Sequence, residues 1–254
     1  MMKLLIRADD LGYSQGVNRG IKECIEAGLV KSAGLMPNME TALQGYEMVK
    51  DLNACIGQHT NLCLGTPCCD SSLIPSMVDE EGKLLSSRVY RNAQANGEDF
   101  VVLEEAIREI DAQYREFRRI TGKDPDYFEA HAIASPTVSK ALAIVAERNH
   151  LPFSDMVPMR KEGFFCNKPI IQCDMESMKK DYDPFETLKK AISNGNEILP
   201  NIFVTHPGYV DSFLLSTSSL TYNREKEVKM LCSKEVKQWL NSQNIQLISY
   251  NDIR

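Results

Sequence analysis

What most limits how this chain can fold is an alternation, from one end to the other, of short apolar runs with amphipathic helical stretches. Neither an internal repeat nor a compositional break interrupts it. Such alternation calls for a mostly parallel sheet with helices outside it, because parallel neighbours need a crossover and the crossover helix covers the sheet. Residues 3–8, 32–38, 54–65, 125–131, 151–153, 199–208 and 245–250 read as strands. Between them, Ser14 is placed to cap a helix carrying Val17, Ile21 and Ile25 on one face, with Gly28 near its end. Leu103, Ile107, Ile110, Tyr114 and Phe117 recur at helical steps up to Gly122, and Ser135–Pro136 is a cap and first-turn pair before Val138, Leu142 and Val145. Further helices are expected over 40–52, 184–193 and 223–240. The segment 154–183 reads as irregular. At 254 residues the chain has the length of one α/β barrel. The expectation is a single domain over 1–254, a distorted (β/α) barrel of about seven parallel strands; a doubly wound open sheet is the runner-up.

Charge narrows the partners. A formal net charge of −6, with no basic run beyond Arg118–Arg119 and Lys179–Lys180, argues against nucleic acid and anionic membrane. The opening MMKLLIRADD holds too short an apolar run for a secretory segment, and no window approaches the roughly 20 apolar residues of a span. A cytoplasmic protein is expected. Its eight cysteines then read as reduced thiols, and Cys63, Cys68 and Cys69 read as small loop-base residues rather than a zinc site. Residues 66–99, rich in Ser, Asn, Gly and Pro, read as an inserted loop of the kind that lines substrate sites.

The scarce polar residues fall in a pattern. Of four histidines, His59, His131 and His206 lie at the C-terminal ends of expected strands, as do the adjacent Asp9 and Asp10. In a parallel barrel those ends meet on one face, where the active sites of that architecture are built. His150, near a helix end, reads as structural. One Asp and two His with an open position make a mononuclear hydrolytic metal site. A cation on Asp10 relieves its repulsion with Asp9 and leaves Asp9 as the base, with His206 as the acid for a leaving group. Glu129, two residues before His131, is a candidate partner for that histidine by strand alternation. Arg160 is a candidate for binding an anionic group on a substrate, against the plainer reading of a solvated arginine.

Several blocks carry a resemblance. "RADDLGYSQGVNRGIKECIEAGLVKSAGLMPN", "IGQHTNLCLGTP", "THPGYVD", "REKEVKMLCS" and "IQLISYNDI" resemble, nearly end to end, the YdjC-like carbohydrate deacetylases, which include chitooligosaccharide deacetylases. The resemblance implies a distorted barrel related to polysaccharide deacetylases. It implies Asp10, His59 and His131 as ligands of one divalent ion, Mg2+ or Zn2+, and Asp9 as base. An acid or substrate-binding His206, and often a homodimer, are also implied. "FEAHAIASP" departs from the family's Asp-Ser-His block, with Glu129 and Ile133 where Asp and a further His are usual. The implied reaction is hydrolysis of an N-acetyl group on a sugar. The alternatives are a glycosidase and a non-catalytic sugar-binding protein on the same scaffold.

Overall fold

Ten residues, Met2–Leu11, form the central strand β1, and eight of them, from Leu4 on, are buried. A parallel strand covered on both faces needs such an unbroken apolar run. Its alternate residues divide the work. Leu4, Ile6 and Ala8 pack outward against the surrounding helices, whereas Leu5 points into the barrel with Tyr127, Phe165, Ile202 and Tyr250.

The computed structural model describes residues 1–155 and 161–253. Among these, the sheet continues with β2 (Ser32–Leu35), β3 (Cys55–Thr60), β4 (Phe128–Ala130), β5 (Ser154–Asp155), β6 (Glu162–Phe165), β7 (Lys168–Gln172), β8 (Asn201–Thr205) and β9 (Ile245–Ile248). Its order is β4-β3-β2-β1-β8-β7-β6-β5, and β9 pairs with the first half of β1. A parallel bridge from Phe128 to Phe153, beside β5, brings the two ends of that order together, so the sheet is a nearly closed barrel. Six of the seven expected strands are present where expected, the one expected at 151–153 falls instead at Ser154–Asp155 after a bridge at Phe153, and all seven run parallel. The segment read as irregular adds the hairpin β6–β7, and β6 alone among the described strands runs antiparallel to the rest.

Around the barrel lie α1 (Gln15–Ala27), α2 (Ala42–Val49), α3 (Ser87–Ala95), α4 (Leu103–Thr121), α5 (Pro136–Arg148), α6 (Pro184–Ser193), α7 (Ser212–Thr217), α8 (Asn223–Leu231) and α9 (Lys234–Ser242). Ser14 Oγ accepts the Val17 N–H, Ser135 Oγ accepts that of Val138, and Gly28 and Gly122 end α1 and α4 in the left-handed conformation. The single helix expected over 223–240 is two, because Ser233 breaks the run and caps α9 by accepting the Val236 N–H. Residues 66–99 are more ordered than a loop. They include a 3-10 turn at Ser71–Leu73 and the helix α3, which buries Tyr90. Glu109 of α4 anchors this insertion by accepting the N–H groups of Cys68 and Cys69, both at 2.9 Å. Among the described residues no helix is long and apolar enough to cross a membrane.

Candidate metal centre

The inward row of β1 continues from Leu5 to Arg7 and Asp9. Then the strand is interrupted: its pairing with β2 shifts register between Ala8 and Leu11, and Asp10 takes the left-handed conformation at φ 76°. A bulge of this kind re-aims side chains at a barrel rim. Both aspartates are buried and have different partners. Arg7 grips Asp9 with two bonds, Nε to Oδ1 at 2.6 Å and Nη2 to Oδ2 at 2.7 Å. Asp10 turns Oδ1 toward His59 Nε2 and His131 Nδ1, 3.1 Å from each.

His59 lies near the end of β3, directly across the ladder from Glu129 on β4. That register explains their contact, in which His59 Nδ1–H donates to Glu129 Oε1. Glu129 Oε2 is 3.0 Å from Arg7 Nη2, and Arg7 Nη1 reaches the Tyr250 hydroxyl at 3.0 Å. Glu129 therefore supports His59, not His131 as alternation predicts. Beyond Ala130 the chain leaves the strand, and Ala132 is left-handed at φ 53°, so the two-residue period ends before His131. Gly34 of β2 packs beneath this pair. A Cβ there would stand 2.8 Å from Glu129 Oε1 and 2.9 Å from His59 Cβ.

Asp10 Oδ1, His59 Nε2 and His131 Nδ1 form a triangle with edges of 3.1, 3.1 and 2.9 Å. Ligands held about 2.1 Å from one ion stand about 3.0 Å apart at octahedral angles and about 3.4 Å apart at tetrahedral ones, so with small adjustments these atoms fit a single divalent cation. The charges agree. The buried carboxylates of Asp9, Asp10 and Glu129 face the guanidiniums of Arg7 and Arg224, which leaves an excess of negative charge. With protons supplying the balance, burial pushes the His131 imidazole down, but Asp10 outweighs it and holds the group at about 9. Burial likewise opposes the His59 charge, while Glu129 and Asp9 drive it well above its usual range. The carboxylates thus demand positive charge at this point, which a divalent ion supplies while both imidazoles become neutral.

His206 follows β8, on the strand paired with β1, and lines the same cleft as Asp9, Asp10 and His131. Part of the residue is open to the cleft, but its Nδ1 is enclosed with no hydrogen-bond partner among the described residues. Burial pushes the imidazole down to about 4, so it rests neutral rather than as a charged acid. The cleft has a volume of about 1460 Å³ and takes one wall from the insertion, through Ser86, Arg88, Arg91 and Gln94. Arg160 lies outside the described residues. His150 is exposed, two residues beyond the end of α5, and is not among the residues that line the cleft.

Sequence reasoning brought together Asp9, Asp10, His59, His131 and His206, and the fold places them around one cleft. It missed Arg7, Gly34, Arg224 and Glu227. The charged Arg7 inside an apolar strand and the glycine inside β2 were the available signals.

The barrel thus carries an Asp-His-His cluster at the C-terminal ends of its parallel strands. Residues 3–242 match the model of the YdjC-like protein family, and the chain belongs to that family. It is 30% identical to carbohydrate deacetylase 2 of Listeria innocua serovar 6a, over 99% of each chain. It is 29% identical to a carbohydrate deacetylase of Clostridium beijerinckii, over 99% of this chain and all of the other. Among solved structures, a proposed cellobiose-phosphate cleavage protein of Enterococcus faecalis V583 superposes with a TM-score of 0.83 at 24% identity, covering 99% of this chain and 98% of that one. A family 4 acetyl xylan esterase of Clostridium thermocellum, in complex with cobalt, shares the fold at a TM-score of 0.51 and 11% identity, over 99% and 90% of the two chains.

Proposed function

We propose that the protein is a metal-dependent deacetylase that hydrolyses the N-acetyl group of an amino sugar or short oligosaccharide. The observation that carries this reading is the convergence of Asp10 Oδ1, His59 Nε2 and His131 Nδ1 on one point beside the clamped carboxylate of Asp9. The names of the relatives support it. Asp10, His59 and His131 would hold the ion, Zn2+ or Mg2+. When bound, it supplies a Lewis acid for the acetyl carbonyl and for water.

The protein's own groups do the rest. Asp9, oriented by Arg7, takes a proton from the water that attacks the carbonyl carbon. The C–N bond breaks, acetate forms, and the sugar nitrogen leaves as an amine after gaining a proton. His206 rests neutral, so the proton it hands to that nitrogen is taken from solvent water during turnover, and Asp9 gives its proton back to solvent once acetate has left. Arg88, Arg91 and Lys140 along the cleft favour a sugar with an anionic substituent such as phosphate. A homodimer, supported by the family resemblance, is part of the same proposal, as is a cytoplasmic location.

A glycosidase needs two carboxyl groups about 5–9.5 Å apart across the sugar. Asp9 and Glu129 instead share one guanidinium, with oxygens within 4.8 Å of each other. The discriminating experiment incubates purified protein and Zn2+ with N-acetylated chitooligosaccharides and measures both products. Acetate without new reducing ends is expected; new reducing ends without acetate would replace this reading with glycosidase activity.

A further inference from the structure

Two residues of α8 that the reaction above leaves unused, Arg224 and Glu227, sit three positions apart and share one face of the helix. Both are buried, at 2% and 1% exposure. Arg224 is the second residue of α8, where the helix dipole disfavours a cation, and its head is withdrawn from water. Neither helix stability nor solubility accounts for an arginine there. Local rules broken without local benefit mark positions that serve a site.

The contacts say which site. Arg224 Nη2 donates to Asp10 Oδ2 at 2.7 Å, Nη1 to the His206 carbonyl oxygen at 3.4 Å, and Nε to the Leu220 carbonyl oxygen at 2.9 Å. Its guanidinium lies over the Tyr13 ring, 5.5 Å from the centroid. Glu227 Oε2 accepts the His206 N–H at 2.5 Å, and Oε1 accepts the Tyr182 hydroxyl at 2.7 Å. Both backbone groups of His206 are therefore held by α8, and the same helix holds the outer oxygen of Asp10. These two residues come from different strands, β1 and the end of β8, and α8 fixes them relative to each other.

We propose that Arg224 and Glu227 are positioning residues for the deacetylation site, an inference that rests on the function proposed above. Arg224 occupies Asp10 Oδ2, so that Oδ1 alone faces His59 and His131. Glu227 fixes the backbone from which His206 enters the cleft. The first residue of α8 extends the device to the cleft rim, since Asn223 Nδ2 donates to the carbonyls of Ser177 and Lys179 at 2.8 and 3.1 Å.

The test titrates metal-free wild type, Arg224→Ala, Arg224→Lys, Glu227→Ala and Glu227→Gln with Co2+, read by its visible absorption, and measures kcat and KM for acetate release. Arg224→Ala should bind Co2+ about 10–100-fold more weakly, as expected when a partner of a ligand is lost. Its absorption should change, and its loss of activity should fall on kcat with KM nearly constant. Millimolar guanidinium ion should restore both affinity and kcat, and ethylammonium should not. Arg224→Lys keeps the charge without the three-way fork and should be intermediate. Glu227→Ala should lower kcat at unchanged Co2+ affinity, and Glu227→Gln, which still offers an oxygen to the His206 N–H, should recover most of it.

Wild-type Co2+ affinity and kcat in folded Arg224→Ala would overturn the proposal, as would a loss that guanidinium does not relieve. Should Arg224→Ala fail to fold, wild-type values in Arg224→Lys together with Glu227→Ala overturn it equally. A wild type that releases acetate while every variant matches it removes the positioning claim alone. A wild type that binds Co2+ with the predicted variant pattern but releases no acetate supports the positioning and removes the proposed function.

Discussion

Arg7 holds both oxygens of Asp9, and the same guanidinium reaches Glu129 and the Tyr250 hydroxyl. Asp9 is thus a carboxylate of fixed orientation with a built-in counter-charge. Replacing Arg7 by Met leaves two buried carboxylates without their cation. The expected cost is about 3–5 kcal/mol, as for other buried ion pairs broken on one side. Urea denaturation of the two proteins measures it, and a loss below about 1 kcal/mol would contradict a buried, desolvated clamp.

Gly34 gives a second prediction through space rather than charge. Gly34→Ala should displace Glu129 and His59, lowering both stability, by about 1–3 kcal/mol, and metal affinity. Gly57→Ala, at the cross-strand neighbour of Gly34, is the control, because its Cβ would meet the Tyr127 ring at 2.4 Å rather than His59 or Glu129. It should cost similar stability at unchanged metal affinity. Equal effects of the two substitutions on Zn2+ titration would refute the specific role of Gly34.

Much of this fold was legible because local signals agreed with it. Ser14, Gly28, Gly122 and the Ser135–Pro136 pair bound helices where their backbone chemistry requires. The hairpin β6–β7 was not legible, since its turn rests on Cys166 and Asn167, both left-handed, without the glycine that usually announces such a turn. The Asp and His members of the site were legible as rare polar residues at strand ends. Their supports were not. Glu129 reaches His59 through cross-strand register, and Arg224 reaches Asp10 from 214 residues away, and neither relation has a local trace.

Glu129 leads to a third expectation. Glu129→Gln keeps the shape but removes the charge that faces His59 Nδ1–H. Metal affinity should fall about 10–100-fold, measured by competition with a chromophoric chelator. Unchanged affinity would mean that His59 is held by packing alone.

His206 and Glu227 push the pH dependence of stability in opposite directions. Burial holds His206 at about 4, below its ordinary 6.5. Between those values the unfolded chain binds a proton that the folded chain does not, so stability falls as pH drops. Burial also dominates at Glu227, holding it at about 7 against an ordinary 4.5, so across that window acidification favours the folded state. In metal-free protein, Glu227→Gln should therefore lose stability more steeply than wild type from about pH 6.5 to 4.5. His206→Asn should do the reverse. Urea midpoints across this range check both, and parallel curves for the three proteins would contradict the assignment.

The proposed reaction divides the labour between two neighbouring aspartates, and one paired measurement tests that division. Asp9→Asn and Asp10→Asn are each loaded with Zn2+ and dialysed, and bound metal and acetate release from N-acetylated chitooligosaccharides are determined on the same samples. Asp9→Asn should retain about one Zn2+ per chain and release no acetate, whereas Asp10→Asn should lose both metal and activity. Retention of metal by Asp10→Asn, or wild-type acetate release by Asp9→Asn, would contradict the assignment of the ion to Asp10 and the proton to Asp9.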